Sequence, residues 1–213
     1  MRLVGGEPPA FARALRARQP KLLAFRRSIV ANTKARTSEW KWGSGGASLA
    51  TLAPLENLRA GLEPDDLFHE RPALAARRYG FDDHGDVIVA VSASGRRVLQ
   101  EWCRIERDLS VRYIYGGVEG QPTDVSVEAI EHADGEVVAF AAFVDDAHWR
   151  VETYDYGASG DLEKVHVLAR HDVSPLPDRR VEELEWSAAG KLLAINERGY
   201  LWPGDHSRRE FAT

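Results

Sequence analysis

The chain has 213 residues, 44% hydrophobic and 29% charged, and a formal net charge of −5. That composition belongs to a folded protein and excludes a disordered, collagen-like or disulfide-stapled chain. No apolar run nears the ~18 residues that span a bilayer. The opening MRLVGGEPPAF does not read as a secretion signal, and the single cysteine, Cys103, has no internal bridging partner. A reducing cytoplasm is therefore the expected location.

The charge is unevenly spread. Residues 1–46 hold ten Lys/Arg against Glu7 and Glu39, a balance of +8. The other 167 residues hold 18 basic and 31 acidic side chains, a balance of −13. Such asymmetry marks a partner of opposite sign or attraction within the chain. The basic segment can lie on the acidic body, it can meet nucleic acid, or the acidic body can meet a basic protein.

Residues 8–18 open with prolines suited to a first helical turn and continue with strong helix formers. Pro20 predicts a break at Gln19 and a second helix from about Pro20 to Ala31. On that helix Leu22, Phe25 and Ile29 share a face, Leu23 and Val30 widen it, and Arg26, Arg27 and Ser28 keep the rest polar. A basic amphipathic helix suits a membrane surface, but the sheet that follows needs covering and favours a core role. Residues 33–47, with Trp40, Trp42 and Gly43-Ser44-Gly45-Gly46, read as a loop. Ala47-Ser48 follows, without the Lys-Ser/Thr that ends a phosphate-binding loop. A short helix is expected at 54–62 and a turn at Pro64-Asp65-Asp66.

From Arg77 onward the pattern is short alternating runs parted by Gly-containing turns. The runs are 77–82, 86–92, 97–106, 109–116, 124–132, 136–144, 147–156, 161–170, 181–187 and 191–197, with a last one at 199–202. They predict an antiparallel meander. Alternation puts Trp149, Val151 and Thr153 on one face and His148, Arg150 and Glu152 on the other. Residues 87–91 and 137–143 are apolar on both faces and must be covered on both sides. The expected class is α+β, a single domain with N-terminal amphipathic helices packed on a large twisted antiparallel sheet of about nine to eleven strands. Its parts are a basic helical segment and loop (1–47), a helix/loop connection (48–76), a β-rich body (77–202) and a tail (203–213).

A weak repeat runs through the stranded part. Phe81-Asp82-Asp83-His84-Gly85-Asp86-Val87 matches Tyr156-Gly157-Ala158-Ser159-Gly160-Asp161-Leu162 and Trp186-Ser187-Ala188-Ala189-Gly190-Lys191-Leu192. Degenerate copies run from Val91 through Ser94-Gly95 to Val98 and from Ile130 through Asp134-Gly135 to Val137. Each is a hairpin in which a left-handed Gly restarts the strand at a bulge, letting the aromatic and the aliphatic meet across strands. With Tyr79-Gly80 and Tyr154-Asp155 before them, these motifs resemble the YD repeats of RHS-type proteins, over roughly a third of the chain. Those repeats wind long β-sheets in bacterial toxin shells. The resemblance implies strand–turn–strand grammar and a setting of bacterial antagonism, with no catalytic residue. The turn glycines Gly85, Gly135, Gly160 and Gly190 are irregularly spaced, and the chain is too short to enclose a cargo.

The search for chemistry yields little. His166 and His171 fall on opposite faces of a strand, no HExxH or CxxC occurs, and no metal or cofactor is expected. Cys103 shares a strand face with Leu99 and Ile105 and reads as a buried, inert thiol. No Gly-x-Ser-x-Gly elbow is present. The pairs Asp65-Asp66, Asp82-Asp83 and Asp145-Asp146 read as solvated turns. Glu101, Glu128, Glu152, Glu163, Glu183 and Glu185 fall within strands near Tyr154, Tyr156 and Trp186. Acids among aromatics suit a protein-binding face, and also a solvated face that resists aggregation.

The first functional expectation is a non-enzymatic protein-binding domain, an immunity protein that neutralises a basic toxin. Its face would comprise Glu128, Glu152, Tyr154, Tyr156, Glu183, Glu185 and Trp186. The alternative is an enzyme or small-ligand binder with a pocket between helices and sheet, using Trp40, Trp42, His148 and Tyr154. The third is nucleic-acid association through residues 13–41, with Trp40 and Trp42 beside Lys34, Arg36 and Lys41. The net negative charge opposes that third reading. No membrane partner is expected.

Overall fold

The computed structural model describes residues 10–46, 48–60, 63–73, 77–94, 97–106, 108–118, 121–145, 148–170, 178–199 and 206–211. Helix α1 (Ala10–Arg18) and helix α2 (Leu22–Arg36) are joined by a 3-10 turn at Gln19–Lys21. Pro20, lacking an N–H, sits in that turn and explains the break. Helix α2 outruns its expected end at Ala31. Nothing before Arg36 breaks it, and Lys34 and Arg36 complement its negative C-terminal end. Thr37 then turns extended, with φ −76° and ψ 114°.

The loop expected at 33–47 is corrected. Glu39–Gly43 forms strand β1, whose residues 39–42 alternate with period two. It pairs on both sides: Trp42 stands opposite Phe68 of β2 (Leu67–Phe68) and Arg78 of β3 (Arg77–Phe81). Helix α3 (Glu56–Ala60) falls within the expected short helix. The remaining strands are β4 (Val87–Ser94), β5 (Arg97–Glu106), β6 (Leu109–Val118), β7 (Gln121–Ala133), β8 (Glu136–Phe143), β9 (Trp149–Tyr156), β10 (Leu162–Arg170), β11 (Asp178–Trp186), β12 (Leu192–Gly199) and β13 (His206–Glu210). Each run expected between 77 and 197 is a strand. Beyond Gly199, the run at 199–202 lies outside the described residues. The tail expected at 203–213 is also corrected, because β13 pairs with β12 and sets Arg209 opposite Ile195.

The thirteen strands form a large antiparallel sheet in the order β13-β12-β11-β10-β9-β8-β7-β6-β5-β4-β3-β1-β2, and the chain is mainly β. It divides into two compact units: a first, Leu15–Ala129, and a second made of Ile130–Thr213 with the start of the chain.

Register defines two faces in the first unit. Trp42, Arg78, Val91, Gln100 and Tyr115 line up on one, and Lys41, Tyr79, Ala90 and Glu101 on the other. On the second of these faces Tyr79, Phe81 and Ala90 pack with Ala50. On the first, Tyr115 Oη donates to the Leu22 carbonyl at 3.1 Å. Arg26 donates to Gln100 Oε1 at 3.0 Å and lies 5.7 Å over the Tyr115 ring. Thr37 presses close at Gly80, where an added Cβ would fall 2.8 Å from its methyl.

The hairpins follow the expected grammar. Gly85, Gly135, Gly160 and Gly190 have φ of 84°, 87°, 85° and 74°, the left-handed region open to glycine. Three turns repeat one pattern: Asp82, Gly157 and Ser187 donate to the carbonyls of Asp86, Asp161 and Lys191, and accept from Gly85, Gly160 and Gly190. Bulges interrupt the register at Gly80/Phe81, Leu162/Lys164 and Glu185/Trp186. The aromatics reach further than expected. Tyr156 Oη donates to the Val137 carbonyl at 2.8 Å, and Trp186 Nε1 to the Leu162 carbonyl at 2.7 Å. Each acceptor is the aliphatic end of the preceding motif.

Candidate functional site

Several of the strand acids expected to face a partner are held inside the chain. Arg112 of β6 is buried, and its Nη1 donates to Glu101 Oε2 and to the Ala50 carbonyl, each at 2.9 Å. Its Nε and Nη2 donate to Glu128 Oε2. Burial raises the Glu128 carboxyl above the ordinary range; the Arg112 charge opposes the rise, and Glu56 and Glu101 add to it.

In the second unit Glu152 and Glu182 are fully buried. Glu152 accepts from Tyr154 Oη at 2.7 Å and stands 3.2 Å from Arg150 Nε, while Glu182 accepts from Arg180 Nε at 3.0 Å. The polar face expected of Arg150 and Glu152 is thus corrected, since β9 is buried on both sides. Arg150 and Glu152 form an ion pair, and Arg150 lies 5.1 Å over the Phe140 ring.

Glu183 and Glu185 do reach solvent, with partners. Glu183 lies 3.2 Å from Lys164 and 3.1 Å from Arg198. Glu185 receives the Arg208 fork at 2.6 and 2.9 Å and the Asn196 amide at 2.7 Å. These bonds hold its carboxyl at about 2. Tyr156 and Trp186 are half-buried and spend their polar ends on the hairpin carbonyls. Of the seven expected partner residues, the structure leaves Glu183 and Glu185 together near solvent, encloses Glu152 and Tyr154, and places Glu128 in the first unit.

Asp65 is a further correction. Its carboxylate is buried and accepts from the amides of Gly45 (2.6 Å) and Gly46 (2.8 Å), Ser44 Oγ (3.1 Å) and Tyr79 Oη (2.6 Å). Burial raises this carboxyl, yet the hydrogen bonds from Tyr79, Gly45, Gly46 and Ser44 prevail and hold it below the ordinary range. The glycine run is therefore an anion-binding nest, filled by the chain's own carboxylate. Only glycine fits at 43, where a Cβ would meet Asp65 Oδ2 at 2.3 Å. Asp82 is likewise buried, accepting the amides of His84 and Asp86 and the Arg36 guanidinium at 3.1 Å.

A different constellation is displayed on the face of the first unit that carries Trp42. The Arg78 guanidinium lies 4.4 Å over the Trp40 ring and 5.5 Å over Trp42, and Arg71 lies 5.1 Å over Trp42. Both arginines and Phe68 are exposed, and the two indoles are half-buried. Stacking of this kind fixes ring and guanidinium planes against each other. The sequence singled out the tryptophans but placed the wrong cations beside them. Lys41 instead pairs with Glu39 at 3.0 Å, and Arg36 with Asp82. His148 and Tyr154, expected in one pocket with Trp40 and Trp42, belong to the second unit, where His148 Nδ1 bonds Asp145 at 2.9 Å.

Cys103 is buried, and loss of water pushes its thiol up to about 12, too high for a nucleophile at neutral pH. Among the described residues no three His, Cys, Asp or Glu side chains converge as metal ligands, and no helix is long and apolar enough to cross a membrane. No protein-family model, curated protein or solved structure matches the chain.

Proposed function

We propose that the protein is a non-enzymatic protein-binding protein whose partner meets the Trp40–Arg78–Trp42–Arg71 ladder. The ladder is the observation that carries this reading. Tryptophan and arginine dominate the energetics of protein interfaces, and side chains already stacked lose little freedom on binding. Its two arginines favour a partner whose carboxylates ring an apolar patch. Affinity capture with the intact chain and with Trp42→Ala and Arg78→Ala tests it. Each substitution is expected to weaken capture tenfold or more, while Glu183→Lys with Glu185→Lys leaves it intact. Capture indifferent to both ladder substitutions would refute the reading.

A second reading keeps the acid-bearing face and a basic toxin, with the protein as a bacterial, cytoplasmic immunity protein related to YD-repeat systems. One observation favours it: Glu185 already accepts a guanidinium fork in bidentate geometry. A toxin arginine would take the place of Arg208, and the charge reversal at Glu183 and Glu185 would then abolish capture. In both readings the N-terminal helices are amphipathic covers of the sheet, a role supported for α2 by the bonds from Tyr115 to Leu22 and from Arg26 to Gln100.

A further inference from the structure

Helix α2 carries apolar side chains that the described residues leave about half exposed. Leu22 is buried, but Phe25, on the same stripe, is 53% exposed. Phe25 and Ile29 border a groove of about 900 Å³ that follows the helix from Ala17 to Arg36, with Cys103 of β5 and Tyr113 of β6 also lining it. The volume lies within the range of small-molecule sites, roughly 300–1,000 Å³.

Shape narrows the choice of occupant. The groove is elongated, running from the last residues of α1 along one side of α2 to Arg36. One extended chain fits. Two of the lining hydroxyls are engaged within the helix, since Ser28 Oγ donates to the Phe25 carbonyl and Thr33 Oγ1 to the Ile29 carbonyl, each at 2.9 Å. Charge gives the direction. Arg18 and Lys21 border one end and Arg36 the other, and among the described residues no acidic side chain lines the groove. Arg36 is engaged by Asp82 at 3.1 Å, so the Arg18–Lys21 end suits an anionic head.

We infer that this groove binds a free long-chain carboxylate, its alkyl chain along Phe25 and Ile29 and its head at Arg18 and Lys21. The site is separate from the Trp–Arg ladder, and either can fail without the other.

Titration of the full chain with sodium dodecanoate, kept below its micelle concentration, tests the inference. One-to-one saturable binding is expected, with dodecanol and acetate as controls for head and chain. Arg18→Gln with Lys21→Gln should weaken dodecanoate about tenfold, as two exposed ion pairs allow, and leave dodecanol unchanged. Ala35→Trp, at an exposed position, should abolish binding while the melting temperature holds, and Ile29→Glu, at a half-buried one, should abolish binding too. Absence of saturable binding overturns the inference. So does indifference to both groove substitutions, or equal affinity for dodecanol and dodecanoate. Binding to phosphatidylglycerol vesicles without binding to dodecanoate also overturns it, in favour of a helix that lies on membranes.

Discussion

The two units bury charge by different means. In the first, each buried charge recruits partners from distant segments: Arg112 gathers Glu101, Glu128 and the Ala50 carbonyl, and Asp65 gathers the glycine run and Tyr79. In the second, Glu152 is served by Arg150 and Tyr154, and Glu182 by Arg180. Residues two apart on a strand share a face, so each of these acids has a partner on its own strand. The hairpin aromatics Tyr156 and Trp186 reach farther, each using a carbonyl of the motif before it, 19 and 24 residues back. Buried acids of the second unit thus have a partner on their own strand, whereas Arg112 and Asp65 of the first draw theirs from other strands and loops.

The largest test of that contrast is Arg112→Leu. It strands two carboxylates in a dry site and is expected to cost about 3–5 kcal/mol in urea unfolding. Replacing Glu101 and Glu128 by Gln in the same chain should recover much of the loss. If Arg112→Leu costs no more than a hairpin substitution, the contrast fails.

Asp65→Ala comes next, at about 2–3 kcal/mol, for the loss of several hydrogen bonds to a charged acceptor. Its pH signature is specific. The folded carboxyl titrates below its ordinary value of 3.8, so its contribution is full above that value and disappears as pH falls through the lowered folded one. The variant should therefore show a shallower loss of stability on acidification than the parent.

Smaller effects are expected in the second unit. Tyr156→Phe and Trp186→Phe each remove one hydrogen bond and should cost about 1 kcal/mol, additively if the motifs act independently. Smallest of all is Arg208→Gln. The urea midpoint should not move, but the NMR titration of Glu185 should rise from about 2 into the ordinary carboxylate range.

What the sequence disclosed tracks the same contrast. The meander was legible because each hairpin announces itself within a few residues by an aromatic, a left-handed glycine and an aliphatic. Strand β1 was hidden by the glycine run behind it, although Trp40 and Trp42 alternate with charged residues. The nest was discounted for lacking a phosphate-binding lysine, and the anion it holds, Asp65, comes from beyond helix α3. Burial of Glu152 was illegible because alternation distinguishes two faces but not whether a charged face is neutralised by its own neighbours. The Trp–Arg ladder needed the register of β1 on β3, which brings Arg78 opposite Trp42.

From β8 to β13 every strand pairs with the one synthesised just before it. Contacts between near neighbours in sequence favour rapid folding, and here they allow assembly in the order of translation. Each emerging hairpin finds a finished edge, and Tyr156 and Trp186 each find a carbonyl on the motif before their own. The same arrangement makes the motif a unit of growth: gaining or losing one hairpin would change the width of the sheet without rerouting the chain.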